Sequence, residues 1–367
     1  MTESFSSWQT MALILAPFFS AGLIRLLMVP APAWGLIDHP GHRKVHQHAT
    51  PLVGGLGILM TLLLVQLACG YEPFESSSLL VALVVVTVIG VADDAHELSH
   101  RAKFVAQAIG AGVIVSGTSV WVTGLGDLIG VGDIELGKWA ILVTLVAVIG
   151  VMNAINMIDG LDGLAGSVSM MSVLVLALLA LDGGQVHLGF ELVLLATAIA
   201  GFLFLNLRLP GRARALVFMG DTGGMVIGML IAWYSIKIGG SANAQIKPIT
   251  AVWVLGIPLL DMGSVMLVRL MQHKSPFHAD QQHMHHLLLH AGYSVNQVVG
   301  IMSFLALAFG IIAIGAERSG VSQATMFLSF IVVWAAYVLA LKNPPVMQAL
   351  ARRIILPASK RADFSSP

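Results

Sequence analysis

The chain has 367 residues, of which 57% are hydrophobic and 10% are charged, and its mean hydropathy is +0.88. Soluble domains carry about 25% charged residues, so this composition excludes an ordinary soluble protein and predicts an all-α protein that crosses the membrane many times. Its 19 basic and 19 acidic residues cancel, which argues against a nucleic-acid partner. The single cysteine, Cys69, excludes an internal disulfide and a cysteine-based zinc site.

Apolar runs of roughly 20 residues predict membrane-spanning helices. About eleven such runs follow one another, at 10–30, 51–69, 76–92, 104–120, 138–155, 165–181, 188–206, 223–239, 249–271, 295–315 and 322–341. Gly256 and Pro258 predict a kink in the ninth run. We therefore expect one integral membrane domain over residues 1–341 and a short basic tail over 342–367. The first ten residues lack a basic segment, so no cleavable signal peptide is expected.

Basic residues predict the orientation of these helices. If the eleven runs alternate in direction, fourteen Lys and Arg residues fall on one side of the membrane and four on the other. The positive-inside rule places the side with fourteen in the cytoplasm. The N-terminus is then outside and the C-terminus is cytoplasmic.

The first two polar motifs follow the first and third runs. DHPGHRKVHQH contains Lys44, a candidate donor to a phosphate. ADDAHELSH contains the adjacent carboxylates Asp93 and Asp94, with a third acid at Glu97. Oxygen ligands of this kind suit Mg²⁺, which usually also binds substrate phosphates. The alternative is that the acids are a solvated helix end.

The third motif, NAINMIDGLDG, begins near the end of the fifth apolar run and holds two Asn and two Asp. Asn153, Asn156, Asp159 and Asp162 are spaced by three residues, which would not align them on one face of an α-helix. Gly160 also weakens a regular helix. The pattern predicts a helix end that enters a tight, ligand-facing loop, and the alternative is a polar helix terminus with capping residues.

The last two motifs are VFMGDTGG and DQQHMHH. In the first, glycines around Asp221 would let the backbone approach an anion at a helix N-terminus, and Phe218 could stack on a base or pack into the helix. The second contains His283, His285 and His286, which could bind phosphate or zinc. It lacks the HExxH pattern of zinc proteases. Asp261 lies inside the ninth run. A carboxylate there is either functional or a hydrogen-bonded packing residue.

All five motifs fall on the predicted cytoplasmic side. The sequence therefore predicts an active site assembled from cytoplasmic loops that are distant in the chain. The intervening GLGDLIGVGDIELGK, on the other side, could form a small hairpin.

In this order, from about Gly35 to Gly292, the five motifs resemble those of the polyprenyl-phosphate N-acetylhexosamine-1-phosphate transferases. The HMHH segment is similar to that of the branch that uses N-acetylglucosamine and undecaprenyl phosphate. The resemblance implies catalytic roles for Asp93, Asp94, Asp159 and Asp162, and metal binding by Asp221, Asp94 and Asp162. The predicted substrate-binding residues are Asn153, Asn156, Phe218, Lys44, His283, His285, His286 and Arg269.

Enzymes of this family move a sugar-1-phosphate from a UDP-sugar to a lipid phosphate, release UMP and need Mg²⁺. The resemblance therefore implies UDP-N-acetylhexosamine and undecaprenyl phosphate as substrates, Mg²⁺ or Mn²⁺ as cofactor, and the bacterial inner membrane as location. The product would begin a cell-envelope polysaccharide such as O-antigen or enterobacterial-type common antigen. The enzyme could be a homodimer.

The sequence departs from the family pattern at two positions. Glu97 replaces an Asp, which keeps a carboxylate, and Gln281 replaces an Arg that could hold phosphate in a bidentate manner, which bears on the sugar specificity. Another UDP-N-acetylhexosamine is therefore an alternative donor, and an aspartyl-phosphate intermediate is an alternative to direct transfer. From other classes, a secondary transporter would need ionisable groups on broken helices near the midplane. A membrane zinc hydrolase would use the histidine loop.

Overall fold

The computed structural model describes residues 5–39, 48–72, 74, 76–118, 120–241, 244–276 and 281–343. Within these ranges it is mostly α-helical, with almost no β-sheet. The α-helices in chain order are α1 Ser7–Met28, α2 Gly54–Ala68, α3 Ser77–His96, α4 His100–Gly117, α5 Ala140–Ile158, α6 Leu164–Asp182, α7 Val186–Asn206, α8 Gly220–Gly239, α9 Pro248–Val254, α10 Gly256–Met271, α11 Met284–His290, α12 Val295–Arg318 and α13 Gln323–Lys342. Two short strands, β1 Ile37–Asp38 and β2 Thr50–Pro51, pair antiparallel, with Ile37 opposite Pro51.

Each apolar run that the sequence marks as a span coincides with a helix, or with the pair α9 and α10. In the described part of the chain, eight helices are long and apolar enough to cross a membrane, and the bent pair would make nine. Helices α2 and α4 are not among these eight. Helix α2 has only 15 residues, and α4 begins with three basic side chains within its first four residues. The all-α polytopic class is confirmed, whereas the count of eleven and the orientation of the termini stay predictions.

The predicted kink in the ninth run is confirmed as a break of 82° between α9 and α10. Pro258 lies in the first turn of α10, where its missing N–H leaves no helical hydrogen bond unmade. Gly256 faces Phe309 so closely that a Cβ at this position would overlap the ring. The break brings α10 against α5 and α13.

Helix α8 lies at the centre of the bundle, almost wholly buried between α2, α3 and α5. Glycines allow this close packing, because a Cβ at Gly55 would overlap the backbone of Gly223. A Cβ at Gly90 would lie 2.6 Å from the Cα of Thr222. The N-terminal turn of α8 is therefore held tightly by its neighbours at the end of the bundle where the polar motifs collect.

The predicted hairpin in GLGDLIGVGDIELGK is present in reduced form. Gly124 and Glu135 make an isolated antiparallel bridge, and the Leu125 N–H donates to the Ile134 carbonyl over 2.9 Å.

Candidate active site

A cavity of about 1040 Å³ opens at the end of the bundle where α3, α5 and α8 meet their loops. Each of the five sequence motifs contributes to its wall. The lining residues from these motifs include Asp38, His39, Asp93, Asp94, Glu97, Asn156, Asp159, Asp162, Phe218, Asp221 and His286. Residues far apart in sequence therefore meet in one polar cavity, as the loop analysis predicts. Lys44 lies outside the described residues.

The NAINMIDGLDG motif forms the predicted helix end and tight loop. Helix α5 ends at Ile158, the chain turns, and α6 starts after Gly163, whose φ of 84° favours glycine. Asn156 remains on α5 and donates through Nδ2 to Asp221 Oδ1 over 3.0 Å. Asn153, three residues earlier, instead donates to Gln107 Oε1 and the Ile149 carbonyl, and it does not line the cavity.

The carboxylate of Asp94 occupies the N-terminus of α8. It accepts hydrogen bonds from the backbone N–H groups of Asp221 and Thr222, at 2.7 and 3.1 Å, and from the Thr222 hydroxyl at 2.7 Å. A Cβ at Gly220 would lie 2.6 Å from Asp94 Oδ2, so glycine is needed there. The sequence predicts an anion at this helix N-terminus, and the protein's own Asp94 fills that position.

Asp93 lines the cavity but is almost fully buried, and its carboxylate is bound by protein groups. Its Oδ1 accepts from the Leu98 N–H over 2.7 Å, and its Oδ2 forms an ion pair with Lys103. The same Lys103 ammonium lies 3.0 Å from Asp221 Oδ2. Lys103 is therefore a site residue that the motif analysis missed. The sequence feature that could have revealed it is the short link of three residues between α3 and α4, which puts the first turn of α4 close to the Asp pair.

Two residues of α7 and its following loop connect the motifs and were also missed. Asn206 accepts from the Gly163 N–H and donates to the Val217 carbonyl, both over 2.7 Å. Arg208 donates through Nε to Asp162 Oδ2 over 2.7 Å. Both side chains line the cavity. Arg208 thereby supplies a guanidinium to a site in which Gln281 stands where the family pattern has an arginine.

Of the HMHH histidines, only His286 lines the cavity. His283 and His285 are buried, with exposed fractions of 6% and 1%. The Nδ1 atom of His283 lies 2.8 Å from Asp261 Oδ2. Burial, and then the neighbouring His286, lower the pKa of His285 to about 3, so its imidazole is neutral at physiological pH. Arg269 is also buried and does not line the cavity.

The carboxylates at the cavity repel one another, and a bound cation would reduce this repulsion. Asp159 is exposed to the cavity, yet loss of bulk water around it, and then repulsion from Asp221, Asp94 and Asp162, raise its pKa to about 7. Among the described residues, no three His, Cys, Asp or Glu side chains form a ready-made metal site. Mg²⁺ usually takes only one or two carboxylates and completes its shell with phosphates and water, so the donor set fits such an ion.

Comparisons with known proteins agree with this geometry. The family model described as glycosyl transferase family 4 matches residues 76–239. A protein of Haemophilus influenzae is 32% identical over 331 residues, which are 90% of this chain and 93% of that protein. One of Pasteurella multocida is 35% identical, over 88% of this chain and 91% of the other, and one of Escherichia coli K12 is 32% identical over 87% of each. All three are named undecaprenyl-phosphate alpha-N-acetylglucosaminyl 1-phosphate transferase.

Proposed function

The chain belongs to glycosyl transferase family 4, and from this premise we propose that it transfers N-acetylglucosamine-1-phosphate from UDP-N-acetylglucosamine to undecaprenyl phosphate and releases UMP. The observation that carries the proposal is the cavity itself, where acidic, basic and aromatic side chains from five separate motifs face one space. The bacterial inner membrane is the proposed location, with the cavity at the cytoplasmic surface. This proposal is supported by the predicted topology, which puts most Lys and Arg residues on the same side as the five motifs.

Two cationic groups that line the cavity, and Lys103 beside it, suit the diphosphate of the nucleotide sugar. Lys103 is held by Asp93 and Asp221, and Arg208 is held by Asp162. His286 lines the same space. We assign phosphate binding to these three residues, and stacking on uracil to Phe218. Asp93, Asn153, His283, His285 and Arg269, expected to act on the substrates, are assigned to positioning instead.

A divalent cation, which we propose to be Mg²⁺, would be held by Asp221 and Asp159. Asp94 and Asp162 were expected as further ligands. Asp94 accepts three hydrogen bonds from the start of α8, and the Asp162 side chain is 11% exposed and paired with Arg208, whereas the Asp221 side chain is 36% exposed. We therefore assign to Asp94 and Asp162 the placement of the α8 N-terminus and of Arg208. The bound ion would supply neutralisation of phosphate charge and polarisation of the phosphorus that is attacked.

In the proposed reaction, an oxygen of the lipid phosphate forms a bond to the β-phosphorus, and the bond from that phosphorus to the bridging oxygen breaks. The electron pair leaves with UMP. The chain contributes positioning and charge stabilisation through Lys103, Arg208 and His286. A phosphate monoester has a second pKa near 6 and is largely ionised at pH 7, so no strong base is required.

The test is to incubate the purified protein with undecaprenyl phosphate, Mg²⁺ and a panel of UDP-sugars, and to measure UMP and the lipid product. We expect UMP and a lipid-linked sugar in equal amounts, with UDP-N-acetylglucosamine the fastest donor. A faster reaction with another UDP-N-acetylhexosamine would correct the donor. Uptake into proteoliposomes without UMP formation would refute the transferase and identify a transporter.

A further inference from the structure

Asp261, the carboxylate inside the ninth apolar run, is the centre of a buried polar cluster that the proposed reaction does not use. Its Oδ1 accepts from the Tyr337 hydroxyl over 2.6 Å and from the Met284 N–H over 2.9 Å. Its Oδ2 lies 2.8 Å from His283 Nδ1. Asp261, His283 and Arg269 are each at most 6% exposed. One carboxylate therefore ties the start of α11 to α10 and α13.

The hydrogen-bond partners of His283 determine which of its ring nitrogens carries the proton. A carboxylate only accepts hydrogen bonds, so Nδ1 of His283 carries the proton that is donated to Asp261. A guanidinium only donates, and Nη2 of Arg269 lies 3.5 Å from Nε2 of His283. Both ring nitrogens of His283 are thus directed at protein groups and not at the cavity.

We propose that Asp261 and Tyr337 are positioning residues that act through His283 and Met284 to hold His286 in the active-site cavity. We name Asp261, Tyr337, His283 and Arg269 the Asp261 clamp. This inference rests on the proposed function, because His286 is there a phosphate-binding residue. It assigns His283 and Arg269 to the support of the site, and it gives α13, the last described helix, a part in catalysis.

The path from the clamp to the cavity is short. Met284, whose N–H is held by Asp261, is the first residue of α11, and His285 and His286 follow in the same turn. On its other side, the His285 ring presses against Gly160, where a Cβ would overlap Nε2. The His285 and His286 rings lie 4.2 Å apart between centroids. The clamp and Gly160 therefore fix the turn from which His286 projects.

The test uses Tyr337→Phe, which removes the hydroxyl and keeps the ring. Tyr71→Phe is the matched control, because Tyr71 also has a hydrogen-bonded hydroxyl but follows the end of α2 remote from the cavity. UMP release is measured in the wild-type and His286→Ala backgrounds. We expect Tyr337→Phe to lower kcat/KM for the UDP-sugar about tenfold in the wild-type background, the size of effect that one lost hydrogen bond produces. It should have less than about a twofold effect where His286 is already absent.

A purely structural role would lower activity by the same factor in both backgrounds, and that result would overturn the proposal.

Hydrogen exchange of segment 284–290 is the readout that does not depend on the transferase activity. Tyr337→Phe should speed exchange there, while Tyr71→Phe should leave it unchanged. Unchanged exchange in Tyr337→Phe would also refute the clamp. Asp261→Asn, which keeps size and removes the charge, serves as the second variant if Tyr337→Phe does not fold. If the wild type releases no UMP with any donor, the proposed function fails while the exchange result still decides the clamp.

Discussion

The Lys103 ammonium lies 3.0 Å from a carboxylate oxygen of Asp221, although 118 residues separate the two in the chain. The same ammonium pairs with Asp93, so one cation neutralises two acids at the wall of the cavity. Helix α4 carries this charge to the N-terminus of α8. The contact links the Asp pair to the glycine-rich motif.

Replacing Lys103 by Met should leave Asp93 and Asp221 without their shared cation. Lys103 is 21% exposed and Asp221 36%, so removal of the lysine should cost less than for a fully buried ion pair, roughly 1–3 kcal/mol. We therefore expect a lower melting temperature and loss of UMP release. Adding Asp93→Asn should restore much of the stability and not the activity. Lys138→Met, which removes a lysine that lies over Trp139 on the far loop, is the control. Normal activity in Lys103→Met would exclude Lys103 from the site.

Gly160→Ala should push the His285 ring out of its position. The new Cβ would overlap Nε2 of a side chain that is only 1% exposed, and overpacking of this kind costs roughly 1–3 kcal/mol. We expect kcat/KM for the UDP-sugar to fall about tenfold or more. Gly112→Ala is the matched control, because a Cβ there meets nothing within 4 Å on α4. It should be neutral or slightly stabilising, and equal losses in both variants would contradict the argument.

Asn206→Asp tests the connection between two loops. The side chain accepts from Gly163 and donates to Val217, and a carboxylate would keep the first contact and oppose the second carbonyl. Leaving a buried group unsatisfied costs about 1–3 kcal/mol. KM for the UDP-sugar should therefore rise, because Phe218 follows Val217 directly. Asn343→Asp changes an exposed asparagine that donates to a helix carbonyl, and its kinetics should match the wild type.

The affinity for Mg²⁺ should depend on pH through Asp159. In the metal-free protein its pKa is raised from 3.8 to about 7, so the folded state binds this proton more tightly than the unfolded chain. That contribution to stability is present below pH 4 and is lost as the pH rises toward 7. A cation must displace the proton, so Mg²⁺ should bind up to about tenfold more tightly per pH unit between pH 5.5 and 7. Thermal shifts with Mg²⁺ measure this, and Asp159→Asn should flatten the slope.

The helices and the meeting of the five motifs could be predicted from sequence, because apolar runs and polar interruptions are local signals. The kink at Gly256 and Pro258 was predictable for the same reason. Lys103 and Arg208 were counted only as charges that orient the helices. Their partners depend on the packing of α4 against α3 and α5 and on the loop that follows α7, which no local pattern contains.

The roles of the histidines show the same limit. The spacing of HMHH indicated one ligand for three imidazoles, whereas the fold directs His283 to Asp261, buries His285 and leaves His286 at the cavity. Which ring faces a ligand depends on the start of α11, and that start is set by Asp261 on α10 and Tyr337 on α13. No local pattern contains those distances.

We propose that transfer of a sugar-1-phosphate to lipid takes place in the cavity around Asp221. The most direct measurement is the rate of UMP release from UDP-N-acetylglucosamine, with undecaprenyl phosphate and Mg²⁺, by the wild type and by Asp221→Asn. Asp182→Asn, which alters an exposed acid paired with Arg318, is assayed beside them. We predict release by the wild type and Asp182→Asn, and a rate at least about a hundredfold lower for a folded Asp221→Asn protein. Equal rates for wild type and Asp221→Asn would exclude Asp221 from the reaction, and no UMP from the wild type would refute the transferase activity.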